Sequence, residues 1–242
     1  MTAPSPAGRA GLFVTGTDTG VGKTTIAVAL ARLALRQGRT PIPYKPVETG
    51  CAPNALDARR LWEAARPPIE LAEVCPHALA LPAAPAAAAT AVGLHLDVAD
   101  LARRGAQLAL RGDFLLVEGA GGLLAPYGDT TTNADLAAAL GLPVLVVART
   151  ALGTINHVAL TVAELGRRGL PLAGVMLVRS AATVAPHETT NDALIESVAR
   201  TRPLGTFPYL LEPDLTNPDR LADALASALP LPALRRLLGQ PG

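Results

Sequence analysis

Short, mostly apolar runs recur along this chain, and each is separated from the next by at least a segment of helical length. The runs fall at residues 12–16, 41–45, 114–117, 144–147, 172–178 and 204–207. A strand with one wet face alternates polar and apolar residues. Runs this short and this apolar instead predict strands of a parallel sheet covered by helices on both faces. Residues 23–37, 54–65, 97–111, 134–140, 155–168, 187–200 and 220–229 read as the intervening helices. Asp97 is placed to cap one start, and Gly38, Gly141 and Gly169 stop three others. The expected architecture is a single doubly wound α/β domain with a mostly parallel sheet over residues 1–242. Residues 1–11, rich in Pro, Ala and Gly, are expected to form a flexible tail.

Half of the 242 residues are hydrophobic and 17% are charged, so a large core is available. The 21 basic and 20 acidic residues nearly cancel. Such a chain has no field to gather nucleic acid or anionic lipid, and neither is expected as a partner. Cys51 and Cys75 are too few for a disulfide framework and lack metal-ligand spacing, so both are expected as reduced thiols. The N-terminus has neither the basic start nor the apolar stretch of a signal peptide. Residues 77–96 carry no charge but are mostly alanine, broken by Pro82, Pro85 and Gly93. That segment predicts a half-buried loop and helix rather than a bilayer span. The expected location is the cytoplasm.

The strongest local signal is Gly16-Thr17-Asp18-Thr19-Gly20-Val21-Gly22-Lys23-Thr24, lying between a predicted strand and a predicted helix. Glycines let backbone amides curl around phosphate oxygens, and the helix N-terminus adds its positive end. Lys23 would reach the β- and γ-phosphates of a nucleotide, and the Thr24 hydroxyl would sit on Mg²⁺. In the general phosphate-loop pattern the first glycine falls on Thr17, with Gly16 one place early. Glu118 ends an apolar strand ahead of a glycine cluster, where a carboxylate takes Mg²⁺ directly or through water.

Four motifs in register resemble the dethiobiotin synthetase family over about residues 12–211. They are the loop above, Tyr44-Lys45-Pro46-Val47-Glu48-Thr49-Gly50, Val117-Glu118-Gly119-Ala120-Gly121-Gly122, and Leu152-Gly153-Thr154-Ile155-Asn156-His157. The resemblance implies an ATP-dependent ligase that converts diaminopelargonate and CO₂ to dethiobiotin, ADP and phosphate. The implied route runs through a carbamate and a mixed carbamic-phosphoric anhydride. It implies catalytic roles for Lys23 and Lys45, the latter on the carbamate and γ-phosphate, with Thr49 hydrogen-bonded to the carbamate. Thr19, Gly20, Val21, Gly22, Thr24 and Thr25 would hold the phosphates together with Glu118, Gly119 and Gly121, and Pro208 would lie by the base. Gly121 and Gly122 would let the substrate approach closely. Thr24, Asp57 and Glu118 would be the Mg²⁺ ligands.

The resemblance also implies a homodimer in which the amides of Gly153, Thr154 and Ile155 bind the substrate carboxylate of the neighbouring subunit. His157 is then structural rather than a general base. Two departures stand out. Gly20 occupies a position where some members carry an acidic residue, and Val178 replaces an asparagine that reads adenine. An apolar side chain makes no paired hydrogen bonds, so relaxed use of nucleoside triphosphates is expected, backbone groups around residues 207–210 still being available to the base. Two other readings remain within the phosphate-loop superfamily. A cobyrinate-type amidation enzyme would need a glutamine-amidotransferase domain for which the chain has no room. A partition or septum-placing ATPase would carry an early loop lysine where Thr17 stands.

Overall fold

The first strand enters near the middle of its own sheet, and the rest of the chain winds outward from it. A computed structural model describes residues 10–240. β1 (Ala10–Gly16) leads into α1 (Lys23–Arg36), β2 (Pro41–Tyr44), β3 (Val47–Thr49), α2 (Leu56–Ala65) and α3 (Leu71–Val74). β4 (His77–Leu79), α4 (Pro85–Thr90), α5 (Val98–Ala109), β5 (Phe114–Gly122), α6 (Asn133–Leu140) and β6 (Val144–Arg149) follow. The chain continues through α7 (Thr154–Arg167), β7 (Leu172–Val178), α8 (Asn191–Ala199), β8 (Gly205–Phe207), α9 (Pro218–Ala228) and α10 (Leu231–Leu237).

Six strands form one sheet in the order β2-β5-β1-β6-β7-β8, and every pairing in it is parallel. Successive side chains point to opposite faces, and the core divides accordingly. Phe13, Val117, Val144 and Val146 face one layer, while Leu12, Val14, Leu116, Leu145 and Val147 face the other. The second layer holds α1 and α9, which are also tied at the rim by Arg32 to both carboxylate oxygens of Asp219, 2.7 Å each.

The doubly wound parallel sheet matches the expectation, while details differ, among them the unforeseen helices α3 and α10 and the start of α8 at Asn191. Ala10 and Gly11 pair with Phe114 and Leu115, so they belong to β1 rather than to a tail; residues 1–9 lie outside the described residues. β5 runs on through Glu118 to Gly122 instead of stopping at Val117, because β1 pairs with it as far as Gly16 opposite Gly122. β3 and β4 form a separate two-stranded parallel sheet that the sequence does not foreshadow. Asp97 caps α5 as expected, its carboxylate accepting the Ala99 amide at 2.9 Å. Among the described residues no helix is long and apolar enough to cross a membrane. Cys51 and Cys75 are free thiols.

β1 lies between β5 on one side and β6 on the other. In open parallel sheets, ligands collect in the crevice beyond the strand C-termini where the winding reverses. The C-terminal ends of β1, β2 and β5 therefore frame the site.

Candidate active site

α1 begins immediately after Gly22, whose φ of 98° is left-handed and therefore suited to glycine. A side chain there would also strike Val178, since an added Cβ would stand 3.0 Å from its Cγ1. The loop thus turns sharply over the end of β7. The first turn of α1 holds Lys23, Thr24 and Thr25 and no acidic residue, which leaves its free amides to an incoming anion. Lys23 Nζ donates to the Asp18 carbonyl at 2.8 Å across the loop. Burial depresses its pKa, Lys45 nearby adds to the effect, and the Glu118 carboxylate opposes it; the net value is about 8.

Lys45 follows β2 and is 4% exposed, and Glu118 in β5 is 1% exposed. Their charged atoms, Lys45 Nζ and Glu118 Oε1, are 2.6 Å apart. The Thr24 hydroxyl donates to the same Glu118 oxygen at 2.8 Å, and Asp57 Oδ2 is 3.7 Å from Lys45 Nζ. Burial alone would lower the Lys45 pKa, but the Glu118 and Asp57 carboxylates outweigh it and raise it above the ordinary lysine value. The two carboxylates thus favour the charged ammonium of Lys45.

These groups surround one cavity of about 330 Å³. Of the residues expected in the site, it gathers Thr19, Gly20, Gly22, Lys23, Thr24, Thr25, Lys45, Thr49, Asp57, Glu118 and Gly121. Gly20 faces open space where an acidic side chain would otherwise reach. Val21 is buried beneath the loop. Gly119 and Gly122 are not among its lining residues: Gly119 lies against Asn133, and Gly122 pairs opposite Gly16. Pro208 follows β8 directly and is not among the cavity's lining residues. Gly153, Thr154 and Ile155 begin α7 outside this cavity. Thr154 Oγ1 there is buried without a partner, and Leu152 beside it is 86% exposed.

The donor set suits a hard divalent cation. Glu118 Oε2 is buried and has no hydrogen-bond partner, next to the Thr24 hydroxyl. Mg²⁺ characteristically takes one or two carboxylates and completes its shell with water and phosphate oxygens. Among the described residues no group of three His, Cys, Asp or Glu side chains could hold a metal ion.

Three residues that the sequence reading passes over also shape the site. Asn133 donates to the carbonyls of Ala120 at 2.6 Å and Gly122 at 2.7 Å, clamping the glycine segment from below. Arg60 lines the cavity and donates to the Leu215 carbonyl at 2.7 Å. Glu48 lines it too, buried and accepting two backbone amides from α2. Of these, Glu48 alone stands within a quoted motif, and nothing in its spacing shows its partners.

The AAA domain family model matches residues 10–219. Among curated proteins, the chain is 49% identical over 220 residues to the ATP-dependent dethiobiotin synthetase BioD of Anaeromyxobacter dehalogenans strain 2CP-C, covering 90% of this chain and 96% of the relative. The protein of the same name from Bacillus thuringiensis strain Al Hakam is 36% identical over 216 residues, covering 88% of this chain and 89% of the relative. Among solved structures, the MinC:MinD cell division protein complex of Aquifex aeolicus contains a chain of similar fold, with a TM-score of 0.58 at 14% identity, covering 96% of this chain and 97% of that one.

Proposed function

The chain belongs to the dethiobiotin synthetase family, and from that premise we propose that it is a ligase of biotin biosynthesis that forms dethiobiotin with ATP from diaminopelargonate and CO₂. The observation that carries the reading is the convergence of Lys23 and Lys45 on one cavity, with Glu118 bonded to Lys45 between them and the loop. Two cations and a set of hard oxygen donors suit phosphoryl transfer to an anionic acceptor. Such chemistry depends on alignment and charge stabilisation more than on a protein nucleophile.

In the proposed sequence, one amine of diaminopelargonate adds CO₂ and loses a proton to give a carbamate. A carbamate oxygen attacks the γ-phosphorus of ATP, and ADP leaves. The second amine then attacks the carbamic carbon, phosphate leaves, and the cyclic urea closes. Lys45 neutralises the carbamate and the transferring phosphoryl group, helped by the Thr49 hydroxyl. Lys23 follows the charge developing between the β- and γ-phosphates. Thr24, Asp57 and Glu118 would hold Mg²⁺, which when bound neutralises the terminal phosphates. The loop residues Thr19 to Thr25 wrap the phosphates, and Gly121 and Gly122 admit the substrate closely.

We further propose that all of residues 1–242 act as one domain in the cytoplasm, and that two copies pair through the face bearing the start of α7. Supporting this, Leu152 stands exposed beside Thr154, whose hydroxyl has no partner, at the positive end of a helix. The amides of Gly153 to Ile155 would then receive the substrate carboxylate of the opposite subunit.

The test is a product assay by mass spectrometry with diaminopelargonate, bicarbonate, Mg²⁺ and ATP. Dethiobiotin formed one-for-one with ADP supports the reading. Hydrolysis that proceeds equally well without diaminopelargonate and bicarbonate, with no dethiobiotin, would sink it and point to a switch ATPase.

A further inference from the structure

Glu48 sits in β3 with its side chain turned away from solvent, 5% of the residue being exposed. Its Oε1 accepts the Asp57 amide at 3.0 Å, and its Oε2 accepts the Ala58 amide at 2.9 Å. Both oxygens are thus spent on the first turn of α2. That helix needs the help. Its N-cap residue is Ala55, which offers no side-chain acceptor, so the amides of Asp57 and Ala58 would otherwise be orphans. Glu48 supplies the missing cap from another element, across the connection formed by residues 50–55. Its negative charge also complements the positive end of the helix.

The consequence reaches past helix stability, because of where Asp57 stands. Its backbone amide is held by Glu48, and its carboxylate lies 3.7 Å from Lys45 Nζ. Lys45 and Glu48 are themselves only three residues apart, and Thr49 follows directly. The contacts therefore close a ring: Lys45 to the Asp57 carboxylate, the Asp57 amide to Glu48, and the chain back to Lys45. Fixing one end of α2 fixes the direction in which Asp57 points into the cavity.

We propose that Glu48 is a positioning residue: by gripping the Asp57 and Ala58 amides it aims the Asp57 carboxylate at the metal–phosphate region beside Lys45. The inference rests on the proposed function for the assignment of that region, and it adds a residue that acts only through Asp57. A purely structural cap would lower the melting temperature and leave the folded site's affinities alone. A positioning residue changes what Asp57 does, and only while Asp57 is present.

The experiment is a double-mutant cycle on Glu48→Ala and Asp57→Ala. It reads the dissociation constant of β,γ-methylene-ATP with and without Mg²⁺ by titration calorimetry at a temperature where all four proteins are folded. Outer partners of metal ligands commonly shift affinity by about 10–100-fold. Glu48→Ala should accordingly weaken the Mg²⁺-dependent part of nucleotide binding by about tenfold in the parent protein. In the Asp57→Ala background it should change that part by less than about twofold, as expected for residues acting in series. Glu48→Gln keeps one acceptor oxygen and should fall between; it carries the cycle if Glu48→Ala does not fold. Equal effects in both backgrounds, no effect in the parent, or no effect of Asp57→Ala itself would each overturn the proposal. The readout needs no turnover, so a chain that bound Mg²⁺–nucleotide yet made no dethiobiotin would defeat the functional reading while leaving this one to stand or fall separately.

Discussion

Glu118 Oε1 accepts two hydrogen bonds, from Lys45 Nζ at 2.6 Å and from the Thr24 hydroxyl at 2.8 Å. The first joins two buried charges, and removing one partner of such a pair strands the other. Lys45→Ala should cost about 3–5 kcal/mol of stability. At this chain length that corresponds to a fall of roughly 6–20 °C in melting temperature. Adding Glu118→Gln to Lys45→Ala should restore much of the stability and none of the activity. The kcat of Lys45→Ala itself should fall about 10²–10³-fold, as for loss of one charge-stabilising donor. Calorimetric melting and single-turnover assays check both halves; near-normal turnover of Lys45→Ala would remove it from the mechanism.

Lys23 supports a prediction about protons. Its folded-state pKa of about 8 lies below the ordinary 10.5. The free protein therefore binds fewer protons than the unfolded chain between those values. From this residue alone, stability of the unliganded protein should rise with pH across that window, the reverse of a lysine gaining a partner. A bound triphosphate raises the pKa again, so nucleotide binding takes up a proton. Uptake should approach about one proton per site near pH 9, and affinity should weaken as pH rises through 8. Calorimetry in buffers of different ionisation enthalpy measures the uptake. Lys23→Arg, which stays charged, should abolish it.

The glycine segment after Glu118 offers a packing test. A Cβ added at Gly119 would come within 2.7 Å of Asn133 Oδ1 and 3.1 Å of Phe13. Gly119→Ala should destabilise the protein by about 1–3 kcal/mol through overpacking. Asn133→Ala should do so by a similar amount, about 1–3 kcal/mol, because the Ala120 and Gly122 carbonyls lose their buried donor. Denaturant titration compares the two.

Val178 governs a test of base selectivity. Its side chain lies against Gly22 and offers the base no hydrogen bond. The values of kcat/KM for ATP, CTP, GTP and UTP should lie within about tenfold of one another, since apolar contacts discriminate weakly. Val178→Asn should sharpen the preference for ATP and leave the single-turnover rate nearly unchanged. A preference of about a hundredfold or more in the unmodified protein would mean that backbone groups after β8 read the base unaided.

The sheet was legible because its strands are apolar on both faces: β7 spans 172–178 as its residues predict, and α1 starts at Lys23. β3 (Val-Glu-Thr) and β4 (His-Ala-Leu) are short and carry polar residues, so no apolar run marks them. The continuation of β5 through Gly119, Gly121 and Gly122 was hidden because glycine is a poor strand former whose pairing only the neighbouring β1 can enforce. In the site, Lys23, Lys45 and Glu118 stand out in the sequence because each is a charged residue beside a glycine-rich stretch or at a strand end. Glu48 and Asn133 act on backbone groups nine and eleven or more residues away, and no local pattern encodes those partners.

The shared oxygen of Glu118 has a thermodynamic consequence. In the proposed reading Thr24 would serve the nucleotide and Lys45 the acceptor, and both hold the same atom. A ligand that draws the threonine hydroxyl away leaves the carboxylate to the ammonium, and one that engages the ammonium leaves it to the threonine. The two proposed guests would thereby be coupled, and coupling of this kind is symmetric: whatever factor the triphosphate applied to the affinity of the amine, the amine would apply to the triphosphate. On that reading, Glu118 Oε1 is the atom through which the two sites would feel each other.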